Sequence, residues 1–334
     1  MNNLVSVIIP AYNAASRIKL TLESIINQDY ENIEIILVND SSLDDTALIA
    51  NKILSGSKRA FKIINHESNK GECASRNTGL AASQGEYICF IDADDMIEQN
   101  FVSSLYDSIT RNNCKIAFCG LVDRFTDGNP DKDFHSCKSS EPYIESGEHF
   151  IINNSVPPVW CCMYGAGFLR ENNLLFHEGC TAGGDIDFIT KALCVAEKVT
   201  FIEGNLYIYV HHSEMGSIRD ANTREKKFTR YEHNTNAQTS TAEFLAKHAR
   251  SGQLRLTADK ILTPNIFIRR LNIYSVRNDK ASYDSFLQDK ANREVIRKAL
   301  DFYVLKKKPE VFFKAFMILY APGIYFMLRR LSGL

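Results

Sequence analysis

The chain has 334 residues, 45% of them hydrophobic and 24% charged, with a net charge of −1. That length suits one large domain or a domain with a helical appendage, and the core it can bury needs no disulfides. Nine cysteines, odd in number and without a CxxC pair, argue against zinc ribbons and thioredoxin-like chemistry and for reduced thiols acting as small hydrophobes.

Met1-Asn2-Asn3 lacks a basic leader region, and the apolar run after it is only a strand long, so a cytoplasmic protein is expected. Val5-Ser6-Val7-Ile8-Ile9, ending at Pro10, reads as a buried parallel strand, and Ile18, Leu22, Ile25 and Ile26 mark an amphipathic helix behind it. The next strand is Ile33–Val38, followed by a helix marked by Leu48, Ile49 and Ile53. A short strand at Phe61–Ile64, a helix over 72–83 and the strand Tyr87–Ile91 continue the alternation. Repeated strand–helix–strand units predict an α/β fold, a mostly parallel Rossmann-like sheet with flanking helices. Ligands of such sheets bind beyond the carboxyl ends of the strands. Residues 124–142, rich in Asp, Asn, Lys, Ser and Pro, read as a mobile surface loop, and 143–220 as mixed structure with a strand at Leu206–Val210.

Three strand ends carry polar groups. At Phe90-Ile91-Asp92-Ala93-Asp94-Asp95, three carboxylates within four residues repel one another and call for a cation or a set of hydrogen bonds, which a hard divalent ion with oxygen ligands supplies. Asp95 is also expected to help cap a helix starting near Ile97. In Asn39-Asp40-Ser41-Ser42-Leu43-Asp44-Asp45, Asp40 lies at a strand tip where it can accept from a base N–H, while Ser42 and Asp45 suit the start of the helix at Thr46. Asn69-Lys70-Gly71 opens a helix whose first amides can receive an anion, with Arg76 one or two turns in.

As a set, these residues resemble the family 2 glycosyltransferases, inverting enzymes of the GT-A fold, of the kind that build bacterial capsule, exopolysaccharide and lipopolysaccharide. The motifs that carry the resemblance are Val5–Asn13, Val38-Asn39-Asp40 through Thr46, Asn69-Lys70-Gly71 with Ala74, Arg76-Asn77 and Gly79, and Gly85-Glu86-Tyr87 with Asp92–Asp95. The resemblance implies a nucleotide-sugar donor, UDP-linked, held by Pro10, Ala11, Tyr12 and Asp40 at the base, Lys70 and Arg76 near the phosphates, and Asp92 and Ala93 at the ribose or sugar. Asp94 would bind Mn²⁺ or Mg²⁺. Trp160–Asn173 and Phe176–Gly179 resemble the approach to the family's Glu-Asp motif, which here reads Gly183-Gly184-Asp185-Ile186-Asp187. Gly184 replaces the Glu, so Asp185 is the candidate general base and Asp187 the second candidate, with a helix cap as the other reading of Asp187. His211 or His212, followed by Gly216-Ser217-Ile218, resembles a late loop that closes over the donor and contributes to the metal. Two other functions share parts of this pattern. A nucleotidyltransferase would be expected to carry a Gly-rich loop after the first strand, where Ala11–Ser16 has no glycine; a non-catalytic nucleotide-sugar-binding protein needs no base.

The charge is divided unevenly. Residues 1–220 carry 17 Lys+Arg against 30 Asp+Glu, and residues 221–334 carry 22 against 10. The boundary is therefore set at 220/221, between a catalytic domain (donor half 1–100, acceptor half 101–220) and a basic helical region. Lys306-Lys307-Lys308 and Arg329-Arg330 flank apolar segments broken by Pro322-Gly323, which suits an interfacial helix on an anionic membrane, with a glycan or lipid-linked acceptor. No nucleic-acid motif accompanies these charges, and the sequence carries no reading of oligomeric state.

Overall fold

The computed structural model describes residues 3–127, 129–134, 143–153, 155–212 and 224–332. They form two compact units, residues 1–221 and 222–334.

The first unit opens with β1 (Val5–Ala11), α1 (Ile18–Ile26), β2 (Ile33–Asn39), α2 (Thr46–Ser55), β3 (Ala60–Asn65), α3 (Glu72–Ala82) and β4 (Tyr87–Phe90). All pairings within the block β3-β2-β1-β4 are parallel. Every residue of β1 is buried, as a central strand covered on both faces requires. Val5, Val7 and Ile9 face Ile18, Leu22 and Ile25 of α1 across one face, while Ile8 points to the other, toward α3. The chain then adds β5 (Met96–Ile97), α4 (Phe101–Arg111), β6 (Ile116–Phe125), β7 (Lys132–Phe134), β8 (Tyr143–Glu145) and α5 (Gly147–Ile152). It closes with β9 (Cys162–Gly165), α6 (Ala166–Glu171), α7 (Gly184–Val195) and β10 (Val199–His211).

The sheet order is β3-β2-β1-β4-β9-β6-β10-β5, with β7 on β6 and β8 on β10. β9 runs antiparallel to both β4 and β6, so it joins the first parallel block to a second parallel pair, β6–β10. The order reverses between β1 and β4, and the crevice outside that switch point is where open α/β sheets hold ligands.

Local expectations differ from the structure at three places. Residues 96 and 97 pair with Ile208 and Tyr207 of β10 instead of starting a helix, and α4 begins at Phe101. The stretch 124–142 contains the end of β6 and all of β7, so part of it is sheet. In α2 the amide of Thr46 is capped by Asp44 (3.0 Å), not by Ser42 or Asp45.

The second unit is helical: α8 (Arg224–His248), α9 (Gly252–Thr257), α10 (Thr263–Arg277), α11 (Lys280–Gln288), α12 (Lys290–Arg297), α13 (Phe302–Lys307), α14 (Pro309–Tyr320) and α15 (Pro322–Ser332). Val311, Ala315 and Ile318 of α14 and Tyr325 and Phe326 of α15 join Ile268 and Leu271 of α10 in its core. Among the described residues no helix is long and apolar enough to cross a membrane.

α3 carries site residues and rests on β1 through Gly79, where an added Cβ would fall well inside 3.0 Å of the Ile8 side chain. Ile8 is β-branched and buried, so it cannot swing aside freely. Gly79→Ala is therefore expected to cost about 1–3 kcal/mol, read as a lower urea midpoint; an unchanged midpoint would show that α3 can lift without penalty.

Candidate active site

The site lies beyond the carboxyl ends of β1 to β4. At β1, Pro10 and Ala11 are buried while the Tyr12 ring is 44% exposed. Asn13, in a left-handed conformation, donates its amide to Ser42 Oγ (3.0 Å) and accepts from the Leu43 amide (2.8 Å). Asp44 accepts from the Ala15 amide (3.0 Å) and from the Thr46 hydroxyl. Burial opposes ionisation of Asp44, yet these hydrogen bonds hold its carboxyl below the usual range. The two loops after β1 and β2 are thus laced into one wall.

Asp40 is nearly buried. Its Oδ1 accepts from the Lys70 amide (2.8 Å) and faces His66 Nδ1 (2.7 Å), and its Oδ2 accepts from the Gly71 amide (2.8 Å). His66 Nε2 in turn lies 2.9 Å from the Thr78 hydroxyl. The two amides just before α3 are thus taken by a carboxylate of the chain itself. Gly71 takes φ 87°, a left-handed conformation, to present that amide. The Lys70 side chain is exposed. His66 and Thr78 were not singled out from sequence, because nothing local marks them.

The three carboxylates after β4 each meet a different fate. Asp92 Oδ1 binds Arg76 Nη2 at 2.7 Å. Burial raises the Asp92 pKa against the pull of Arg76, with Asp185 and Asp94 adding to the rise. Ala93 between them is buried. Asp94 remains partly exposed, 3.6 Å from Arg17 Nη1. Asp95, 1% exposed, accepts from the Tyr207 hydroxyl (2.7 Å) and the Val210 amide (2.8 Å), so it ties the turn to β10 and caps no helix. Burial lifts its pKa well above the carboxylate range, and the charges of Asp92 and Asp94 add to the rise. Each carboxylate therefore has a protein partner, and repulsion alone does not demand an ion.

Arg76 is fully buried and joins the two halves of the unit. Nη1 binds Asp185 Oδ1 (2.6 Å), Nη2 binds Asp92, and Nη2 also pairs with Glu72 one turn earlier. Its guanidinium lies 5.2 Å from the centroid of the Phe176 ring, which stacks on Phe188 of α7 at 4.0 Å. Asn77 holds that segment in place by accepting from the Phe176 amide and donating to the Phe176 carbonyl (both 2.9 Å). Burial costs Arg76 solvation, but the three carboxylates hold its pKa well above the usual value.

Asp185 and Asp187 open α7, and neither caps it. Asp187 is buried and paired with Lys191 Nζ at 2.7 Å, whereas the Asp185 side chain is 34% exposed beside Arg76. At Gly184 an added Cβ would fall well inside 3.0 Å of Cys73 Sγ, so a Glu there requires Cys73 to move. His211 faces Asp123 (2.8 Å) and stacks on Phe125 (4.5 Å). His212 lies 3.2 Å from the Asp94 carbonyl, nearer the acidic turn. Gly216-Ser217-Ile218 lies outside the described residues.

The profile of glycosyl transferase family 2 matches residues 6–175, half of the chain. The chain belongs to that family. EpsJ, a glycosyltransferase of Bacillus subtilis strain 168, is 32% identical over 210 residues, covering 62% of this chain and 60% of EpsJ. The backbone resembles residues 1–349 of Staphylococcus aureus TarS solved with UDP-GlcNAc, with TM-score 0.68, 19% identity, and coverage of 96% of this chain and 92% of that one. It also resembles the mannosyltransferase PcManGT of Pyrobaculum calidifontis solved with GDP-Man and Mn²⁺, with TM-score 0.54, 14% identity, and coverage of 100% and 87%. At such identities the likeness is one of fold, the GT-A fold expected from the family 2 motifs.

Removing Arg76 would leave three carboxylates crowded together, two of them against a buried site. Arg76→Met is expected to cost about 3–5 kcal/mol near neutral pH. Glu72 and Asp92 are raised by burial and mutual repulsion even beside Arg76, and without the guanidinium both rise further above their unfolded values. The penalty is then absent below the unfolded value, ~4, and grows as pH rises through the folded one. The gap in melting temperature between wild type and Arg76→Met should accordingly narrow on acidification; a widening gap would contradict this electrostatic account.

Proposed function

We propose that this family 2 member is an inverting glycosyltransferase that moves a sugar from a UDP-linked donor to a glycan or lipid-linked acceptor in surface polysaccharide synthesis. The observation that carries the reading is that one buried guanidinium holds both Asp92, from the donor motif, and Asp185, from the acceptor motif, at 2.7 and 2.6 Å. A donor-binding carboxylate and a candidate base held by one guanidinium are what a single displacement needs. The exposed Tyr12 ring and the rim around Asp40 suit the nucleoside, as the motifs imply. The UDP-GlcNAc bound to TarS supports a UDP-linked donor.

Asp185 is the base in this reading, because it reaches solvent while Asp187 is buried on Lys191. Arg76 fixes its orientation, and Asp95 stiffens the turn that carries Asp92 and Asp94.

The donor set suits Mn²⁺ or Mg²⁺. Asp94 is the least engaged carboxylate of the turn, and His212 is the nearer of the two histidines. Among the described residues no group of three or more His, Cys, Asp and Glu is placed to hold a metal, so phosphate oxygens would complete the shell, as is common for Mg²⁺. When bound, the ion supplies positive charge against the leaving diphosphate. The Mn²⁺ in the PcManGT structure supports this assignment.

Thermal shift with UDP-GlcNAc and other nucleotide-sugars, with and without Mn²⁺, tests the donor site. Asp94→Ala is expected to remove the Mn²⁺-dependent part of the shift. Asp185→Asn should keep the shift and lower transfer by about 10²–10⁴-fold. Full transfer by both variants would reject the catalytic reading in favour of a binding protein.

The second unit is assigned to the cytoplasmic face of an anionic membrane. Phe313, Phe316 and Tyr320 line an exposed stripe on α14, and Ile324, Leu328 and Leu331 line another on α15. A pocket of about 250 Å³ lined in part by Arg269, Lys314 and Arg329 brings three cations together with one carboxylate, Glu310. Burial and the charges of Arg329 and Arg269 lower the Lys314 pKa. Apolar stripes beside clustered cations match an interfacial surface. Because the opposite faces of both helices form the core, substitution is a cleaner test than truncation. Phe316→Glu with Leu328→Glu should abolish co-sedimentation with phosphatidylserine vesicles while the protein stays folded; wild type that ignores such vesicles would sink the assignment.

A further inference from the structure

A pocket of about 250 Å³ opens inside the second unit where α8, α10, α14 and α15 meet. Each helix contributes a donor to its wall: Tyr231 from α8, Arg269 from α10, Lys314 from α14 and Arg329 from α15. Glu310, one turn before Lys314, is the only carboxylate in that wall among the described residues, so three cations less one anion leave a formal charge of +2. Helices that merely pack bury apolar side chains at such a junction, because a cation drawn from water costs free energy unless a counter-charge meets it. The strain shows at the partly buried Lys314. Burial and Arg329 lower its pKa, and Arg269 adds to the fall against the pull of Glu310.

The wall is also held in place. Asn272, 3% exposed, accepts from the Tyr325 hydroxyl (2.8 Å) and donates to the Tyr231 hydroxyl oxygen (3.2 Å). With its oxygen taking that hydrogen bond, Tyr231 keeps its own proton to donate. The Arg269 guanidinium lies 5.1 Å from the centroid of the Tyr231 ring, which restricts where its fork can point.

We propose that this pocket is a binding site for one phosphoryl group, a phosphate monoester carried by a lipid headgroup or by a small soluble molecule. Two guanidinium forks, an ammonium and a phenol proton match the oxygens of a tetrahedral dianion, and the charge of the wall matches its charge. A carboxylate ligand brings one charge and two oxygens, and leaves part of this donor set unmet. The volume of about 250 Å³ lies just under the roughly 300–1,000 Å³ usual for drug-sized ligands, which suits a headgroup. The lipid form of the ligand rests on the membrane assignment of this unit; the soluble form does not.

The test uses full-length protein in EDTA, titrated calorimetrically with glycerol 3-phosphate, and with chloride at matched ionic strength to control for screening. Glycerol 3-phosphate is expected to bind, about tenfold or more weakly in Lys314→Met. It should bind more tightly in Glu310→Gln, an exposed position where the substitution removes the opposing carboxylate. Co-sedimentation with phosphatidylcholine vesicles carrying phosphatidic acid or phosphatidylserine at equal surface charge separates the two sources. A preference for phosphatidic acid that Lys314→Met abolishes assigns the site to a lipid headgroup; a soluble ligand bound without that preference assigns it to a free monoester. Glycerol 3-phosphate that binds while every vesicle is ignored overturns the membrane assignment and leaves the pocket standing. No binding of glycerol 3-phosphate together with no preference between the lipids, or binding that neither variant alters, overturns the proposal.

Discussion

The buried Arg76 guanidinium is the interaction on which the catalytic unit depends. It receives carboxylates from the start of α3, the end of β4 and the start of α7, three segments far apart in sequence. Taking a guanidinium out of water costs several kcal/mol, which only well-placed counter-charges recover. Once that demand is met, the turn after β4 and the start of α7 are held within one side chain's reach. The neighbouring Asn77 and the Phe176–Phe188 stack reinforce the same junction from below. Electrostatic neutralisation and apolar packing thus act on a single point.

Identical side chains take different roles here because their surroundings differ. Asp92 is an ion-pair partner, Asp94 stays open enough to meet a ligand, and Asp95 is a buried latch onto β10. Asp40, at the end of β2, uses its carboxylate to organise the loop into α3, so any role toward a base N–H must use the lone pair that remains on Oδ2. Asp185 and Asp187 divide in the same way, one half-open on Arg76 and one closed on Lys191. In each case burial and hydrogen bonding, more than residue type, set the chemistry.

The second unit follows a different logic. Its helices bury one face in a common core and leave α14 and α15 with apolar stripes turned outward. Arg269, Lys314 and Arg329 gather around one pocket of the same unit.

The strands β1 to β4, their parallel order and the polar groups at their ends were legible in the chain, because a buried parallel strand must be a continuous apolar run and because turn chemistry is local. The family 2 motifs were legible for the same reason: their residues lie close together in sequence. What was misread locally was decided by distant contacts. Asp95 looks like a cap until β10, over a hundred residues later, presents Val210 and Tyr207 to it; Met96-Ile97 looks like a helix start until the same strand pairs with it. The carboxylates around Arg76 could not be read from its motif, because only the folded chain brings Asp92 and Asp185 to it beside Glu72. The sequence by itself determined which residues could do this chemistry. The tertiary structure decided which of them are free to do it, since charge, burial and hydrogen-bond partners are properties of the assembled site.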